Sequence, residues 1–459
     1  MMTINLQPEG SESNQGSNLP SWGPVIVGGF STAVGMWVIA FAIHIAAPGM
    51  PRAAMGAMGA MLLVGQLVGA VAAGRQAKRM GKTPVLIGAL AGLLATLLNV
   101  LVLGSILTET PAPGGESLVP NAATFVLGFV GLGVLIGAVG GFIGGLLAKA
   151  GIELATRQVW LARMGVVTCM AILPLLFIGG LVTSTGSGMA VPDWPTSYSA
   201  NMFLYPLSHM TEQSDRFFEH SHRLFGSLVG LTTLTFMVLV LMFEPRRWVK
   251  WMAVGLFLAV CGQGLLGGGR VVLNKTVLAM IHGIGGQLIL ALSVATTACL
   301  APAYVRAKAT PSVPARLKTL ATILIMCFVL QLSFGAALRH FPRSMHSAVS
   351  HVLFALVVMV LAMLMSFALT KLYAAAADGE KPSLKVLRVY GKALLHATSL
   401  QIVLGIAALW VLLVLAAEDP TKSTARAVVG TIHQFNGAVL LAIVTLSVVW
   451  VRRLAWANR

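Results

Sequence analysis

Apolar residues run along this chain in stretches of about 20, each closed by a polar or basic stretch, and the alternation recurs twelve times. The runs fall near 23–47, 54–74, 83–107, 122–148, 160–183, 223–243, 250–268, 276–300, 316–338, 345–369, 390–415 and 428–450. At about 1.5 Å rise per residue, each is long enough to cross a bilayer as a helix. The pattern predicts an all-α polytopic membrane protein with about 12 transmembrane helices. Glycines inside the runs do not argue against this. The fourth run carries Gly133, Gly137, Gly141 and Gly145, and the second carries Gly65 and Gly69. Small residues at every fourth position let helix backbones approach closely in lipid.

Composition supports the same class. Hydrophobic residues make up 57% and charged residues 10%, which leaves no room for a sizeable soluble domain. A net charge of +17 would fit nucleic-acid binding if the basic residues formed a patch, but they do not. Of the 31 Lys and Arg, 22 fall at 75–82, 149–163, 246–250, 306–318, 371–392 and 452–459, which are alternate loops. By the positive-inside rule those loops and both termini are cytoplasmic. The first 22 residues lack Lys and Arg and read as neither a signal peptide nor an Arg-rich transit peptide, so a bacterial cytoplasmic (inner) membrane is the expected location. Cys169, Cys261, Cys299 and Cys327 all lie in hydrophobic runs and predict no disulfide.

The chain divides near the basic loop 149–163. Residues 1–150 form a four-helix membrane unit with little chemistry in it; His44 there reads as a satisfied polar residue. Residues 160–308 and 309–459 read as two copies of a four-helix bundle in the same membrane orientation. His222-Arg-Leu-Phe225 is echoed by His351-Val-Leu-Phe354, and Ile281-His282 by Ile432-His433. A Gln-x-x-Leu-Gly string, Gln263 to Gly267, returns at Gln401 to Gly405.

Ionisable residues at membrane depth are costly and mark function. His222, His282, His351 and His433 all sit near the outer ends of helices that enter from the outer side, within six or so residues of the helix start. One pair in each bundle matches the ligand set of two buried haems, with the four histidines as iron ligands. His346 is the rival to His351, but it breaks the His-x-Leu-Phe correspondence. His209, His340 and His396 read as bystanders, and His220 faces away from His222.

The halves differ beside the metal. Glu219 stands one helical turn before His222, and Arg223 follows it; the matching positions are Ala348 and Val352. The first site is therefore expected to be the place of reaction, and the second a relay or structural haem. The plainer alternative makes Glu219 a cap of the sixth helix. The long outer loop 184–221, with its turn formers, Trp194 and Tyr205, is expected to be an ordered lid.

Gly179-Gly-Leu-Val-Thr-Ser-Thr-Gly-Ser-Gly-Met189, the Pro192-Asp-Trp-Pro195 stretch and Glu219-His-Ser-His-Arg223 together resemble the haem A synthase family. The resemblance covers 160–459 and implies eight helices in two halves. It implies oxidation of the C8 methyl of haem O to the formyl group of haem A, by successive hydroxylation and loss of water, for cytochrome oxidase assembly. It also implies that His222 and His282 flank the substrate haem, that His351 and His433 ligate a haem b cofactor, and that Glu219 is the catalytic carboxylate. Arg223 is assigned to cofactor binding. Expected partners are haem O, membrane lipid, a haem O synthase and the oxidase assembly machinery, without nucleic acid. The chain departs from the family in two places. The outer-loop cysteine pair of many members is missing, and Thr183 stands near a position that is often basic, so Arg216 or Arg270 becomes the candidate propionate contact. Two other functions compete: a two-haem quinol or electron-transfer cytochrome, which needs no Glu219, and a transporter or oxidase assembly factor.

Overall fold

The computed structural model describes residues 22–46, 52–112, 115–149, 156–341, 345–414 and 424–455. Arg343, Lys422 and the first 21 residues lie outside these. Among the described residues, twelve helices are long and apolar enough to cross a membrane. They are α1 (Trp22–Ala46), α2 (Arg52–Arg79), α3 (Pro84–Ile106), α4 (Ala122–Leu146), α5 (Arg157–Thr185), α7 (Ser214–Phe243), α8 (Arg247–Leu273), α9 (Thr276–Leu300), α11 (Ala315–His340), α12 (Met345–Ala375), α13 (Lys381–Val414) and α14 (Thr424–Leu454). Two short helices, α6 (Leu207–Thr211) and α10 (Pro302–Arg306), lie between spans. One antiparallel hairpin, β1 (Thr108–Ala112) with β2 (Gly115–Leu118), occupies the loop after α3. The protein is a multi-pass, all-helical membrane protein.

Two compact units divide the chain. The first takes 1–40, 52–98 and 123–160; the second takes 161–459 together with 41–51 and 99–122. In the first, the glycine ladder of α4 does what small residues do in lipid. A Cβ on Gly137 would lie 2.5 Å from the Gly88 carbonyl oxygen of α3, and one on Gly141 2.3 Å from that of Pro84. At this closeness the backbones, not side chains, are in contact. Gln66 of α2 is buried there and donates to Thr96 Oγ1 (3.0 Å) and to the Gly133 carbonyl (3.2 Å), so its amide is not left unsatisfied.

In the second unit the helices pack as sequence neighbours, α7 on α8, α8 on α9, α11 on α12 and α13 on α14, and α9, α11 and α14 also pack on one another. Phe328, Met365, Leu369, Leu441 and Trp450 belong to one buried core built from α11 to α14. The sixth span differs from the sequence expectation. It begins at Ser214 rather than near 223, because its polar first turns are not released to water: Phe217, Glu219, His220 and Ser221 are all buried. His222 is therefore the ninth residue of its helix and His433 the tenth, deeper than expected, whereas His282 and His351 are each the seventh.

Candidate functional site

A cavity of about 860 Å³ lies within the second unit, and all four predicted histidines line it. They stand in two pairs. The His222 and His282 rings have centroids 6.1 Å apart, and the His351 and His433 rings 6.4 Å, each pair crossing at 79°. Neither distance allows a ring–ring hydrogen bond. Two imidazoles on opposite sides of one iron would have centroids about 6.2 Å apart, given a metal–nitrogen bond of about 2 Å and about 1.1 Å from nitrogen to ring centre. Both pairs match that spacing. Among the described residues no cluster of three or more His, Cys, Asp or Glu could chelate a bare ion. Each pair therefore fits a metal that brings its own equatorial ligands, as an iron porphyrin does.

The placement of each ring comes from a small local device that occurs four times. Each histidine leans on a glycine of the span before it. A Cβ on Gly179, Gly267, Gly335 or Gly405 would lie 3.0, 3.0, 2.9 or 3.3 Å from Cε1 of His222, His282, His351 or His433 respectively. One turn before each glycine stands Leu175, Gln263, Gln331 or Gln401. The backbone carbonyls of Leu175, Gln263 and Gln331 approach the rings of His222, His282 and His351. An Nδ1–H held by a carbonyl leaves Nε2 free to bind metal. Glutamine amide nitrogens also lie close to three of the rings, and two of them donate to the backbone carbonyl of the histidine itself. With its amide oriented to satisfy both ends, Gln263 Nε2 lies 2.7 Å from His282 Nδ1 and donates to the His282 carbonyl at 3.3 Å, while Oε1 accepts from Gly286 N. Gln331 Nε2 lies 3.1 Å from His351 Nδ1 and donates to the His351 carbonyl at 3.0 Å. Gln401 Nε2 lies 3.2 Å from His433 Nδ1, and Asn436 fixes that amide by donating to Oε1 at 2.7 Å. The repeating unit is thus a two-helix hairpin, used four times.

The two pairs have different neighbours. Glu219 and Arg223 line the cavity on the His222 side; Ala348 and Val352 line it on the His351 side. Glu219 is 5% exposed and accepts from Arg223 Nε at 3.2 Å. It lies on the sixth residue of α7, past the first turn, so it does not cap the helix. The remaining Arg223 donors serve the outer loop: Nη1 donates to the carbonyls of Asp193 (2.7 Å) and Thr196 (3.0 Å), Nη2 to that of Val191 (2.9 Å). Arg223 thereby ties the loop to the helix that carries Glu219 and His222.

That loop is ordered by its own polar groups. Asp193 accepts from the backbone N–H of Tyr198 and Ser199, both at 2.7 Å, and from Thr196 Oγ1. Tyr198 and Ser199 have φ of 52° and 66°, a strained region for residues with side chains, and the carboxylate holds them there. Partial burial would raise the Asp193 pKa, but these hydrogen bonds outweigh it and keep the carboxyl below its ordinary value. His220, fully buried, lies 3.2 Å from Ser197 Oγ, so it braces the loop rather than facing the cavity. Trp194 packs flat where Gly268 has no side chain, a Cβ there falling 2.2 Å from the indole, and Trp194 and Pro195 form part of the cavity wall.

The other residues singled out from the sequence divide between the cavity and its surroundings. His346 is exposed and does not line the cavity; His351 is the ring opposite His433. His340, read as a bystander, does line it, and its Nε2 lies 3.6 Å from a Cβ built on Gly283. Arg216 is committed to the His209 carbonyl (2.8 Å) and Glu212 (3.2 Å), whereas Arg270 lines the cavity and donates to the Gly188 carbonyl. Arg339, not singled out from the sequence, joins α11 to α5 through the Gly180 carbonyl (2.8 Å) and Ser184 Oγ. Arg270, Lys275, Arg339 and His340 also line a smaller adjoining cavity of about 220 Å³. His209 pairs with Glu212 at 3.3 Å, His396 is exposed, and the His44 ring packs 4.0 Å from that of Phe217. The four cysteines are free.

Part of the second unit is similar to known proteins. Residues 162–347 match the family model COX15-CtaA, described as "Cytochrome oxidase assembly protein". A protein named "Heme A synthase" from Shouchella clausii (strain KSM-K16) is 35% identical over 132 residues, covering 27% of this chain and 40% of the relative. Another "Heme A synthase", from Alkalihalophilus pseudofirmus, is 30% identical over 135 residues, covering 28% of this chain and 43% of the relative. The chain thus spans about two fifths of the length of these curated relatives. No solved structure matches. The span 162–347, which holds Glu219, Arg223 and the first histidine pair, is the part of this chain that is similar to the COX15-CtaA family of cytochrome oxidase assembly proteins.

Proposed function

We propose that this protein is a haem A synthase, a haem-dependent membrane oxidoreductase that takes haem O to haem A by oxidising a ring methyl to a formyl group. One observation carries the reading: two histidine pairs of iron-porphyrin spacing share a cavity, and only one has a buried carboxylate and guanidinium beside it. Haem O is the substrate at His222 and His282; haem b is the cofactor at His351 and His433. Bound haem b supplies one-electron chemistry, and its bare apolar surroundings suit a relay.

The chain's own residues do the rest. Arg223 fixes Glu219 in position, and Glu219 gives and takes protons beside the reacting methyl. Trp194 and Pro195 close the cavity from the outer side, excluding bulk water. Arg270 and Arg339, which reach both cavities, are placed to pair with haem propionates. The protein works in a bacterial cytoplasmic membrane with both termini inside, in contact with lipid, alongside a haem O synthase and the oxidase that receives the product. Co-expression with a haem O-producing enzyme in a host lacking haem A, followed by chromatography of extracted haems, tests this. A formyl-bearing haem is expected. Its absence from folded, haem-loaded protein would favour a two-haem electron carrier.

A further inference from the structure

Three basic side chains and an imidazole gather where α8 and α11 end, with no acid among them. Arg270, Lys275, Arg339 and His340 line the smaller cavity of about 220 Å³, and none of its lining residues is Asp or Glu. Among the described residues, no carboxylate stands within ion-pair distance of Arg270, Lys275 or Arg339. Arg270 donates to the Gly188 carbonyl, and Arg339 to the Gly180 carbonyl and Ser184 Oγ. These neutral acceptors leave both charges unbalanced. A charge without a counter-ion at membrane depth is costly, and an anion would offset that cost.

The small cavity belongs to the first histidine pair. Thr183, Arg270, Ala279, Arg339 and His340 line it and the large cavity alike. Ala279 stands three residues before His282, and Arg270 three after Gly267, on which His282 leans. No residue of α12, α13 or α14 lines it. Two of its four polar groups nonetheless come from the second bundle. Arg339 and His340 stand four and five residues past Gly335 in α11, where Thr183 and Ser184 stand past Gly179 in α5. At about 220 Å³ the space is smaller than the about 300–1,000 Å³ that encloses a whole drug-sized ligand, so it suits the charged edge of a larger one. We infer that this cavity is a carboxylate pocket for both propionates of the substrate haem, completed across the boundary between the bundles by Arg339 and His340. The inference rests on the two-haem reading above. Charge-assisted bonds to the carboxylates would fix the orientation of the macrocycle. In haem O the methyl to be oxidised shares a pyrrole ring with one propionate, so a held propionate edge also holds that methyl. Arg270 is close enough to Glu219 to act on its charge, which sets the pocket beside the reacting group.

The test compares protohaem with its dimethyl ester, which keeps the iron and the macrocycle and lacks only the two negative charges. Full-length protein is depleted of exchangeable haem with apomyoglobin, then titrated with either form and followed by absorbance. Wild type should bind the free acid about 10–100-fold more tightly than the ester. Lys275→Gln with His340→Gln should lose most of that preference through weaker binding of the acid, with ester binding unchanged. Should that variant not fold, the wild-type comparison decides alone. Equal affinity for acid and ester in wild type, with a low-spin spectrum from both, would overturn the pocket and leave the two-haem reading standing. An unchanged preference in the folded variant would overturn it too. Wild-type protein that takes up no haem, or undiminished uptake by His222→Ala, would overturn the two-haem reading itself.

Discussion

Gly335 gives the sharpest handle on the second histidine pair. A Cβ there would lie 2.9 Å from His351 Cε1 and 3.3 Å from Nδ1. Non-bonded carbon contacts settle at about 3.5–4.0 Å, so Gly335→Ala forces the ring back by about 0.6 Å or more. Metal–ligand bonds hold to within about 0.2 Å, less than this displacement. Ligation by His351 should therefore fail or stretch, converting the second haem from six-coordinate low-spin toward high-spin and weakening its retention about 10-fold or more. Gly405→Ala should be milder, because 3.3 Å to His433 Cε1 asks for a retreat of only about 0.3 Å. Gly230→Ala, in α7 with nothing within 4 Å of its Cβ, serves as the control. The assay is the reduced absorption and electron paramagnetic resonance spectrum, with haem content per chain. If folded Gly335→Ala matches the control in spin state and haem content, His351 is not a ligand held against that glycine.

Glu219→Gln keeps an oxygen for Arg223 but cannot exchange protons; formyl-haem yield should fall about 10²–10⁴-fold with both haem signals intact, and normal turnover would reduce the carboxylate to a strut. Arg223→Ala removes three bonds to the loop and its ion pair with Glu219, leaving a buried charge alone; a loss of about 3 kcal/mol or more is expected, read as a lower denaturation midpoint and faster protease cleavage within 191–206. Asp193 has a depressed carboxyl pKa, so its contribution is complete above the unfolded value and disappears as pH falls through the folded one; loop protection from protease should weaken on acidification in the wild type and lose that dependence in Asp193→Asn.

Much of the architecture was legible in the sequence, because a bilayer demands long apolar runs and all twelve spans could be read from them. The pairing of His222 with His282 and of His351 with His433 was legible from duplication. The finer repeat was not. Only the two strings ending in Leu-Gly were recognisable as echoes; Gln331 to Gly335 has Phe334 in the leucine's place, and Leu175 removes the glutamine altogether. The start of α7 was misplaced because Asp215 and Arg216 look like loop residues until the packed outer loop supplies their partners, Ser187 and the His209 carbonyl, and Glu219 until Arg223 does. Arg223, assigned to cofactor binding, spends its donors on loop carbonyls that lie 27 to 32 residues earlier, a contact no local pattern encodes. His340 and Arg339 looked like a helix end; the cavity between α5, α9 and α11 gives them their setting.

The most direct measurement is the number of iron porphyrins per purified chain, by pyridine haemochrome against protein concentration. Two per chain are expected, falling to one when His351 and His433 are both replaced by alanine while the remaining haem keeps its low-spin spectrum. A colourless wild-type protein, or one haem that survives the loss of either pair, would contradict two imidazole clamps.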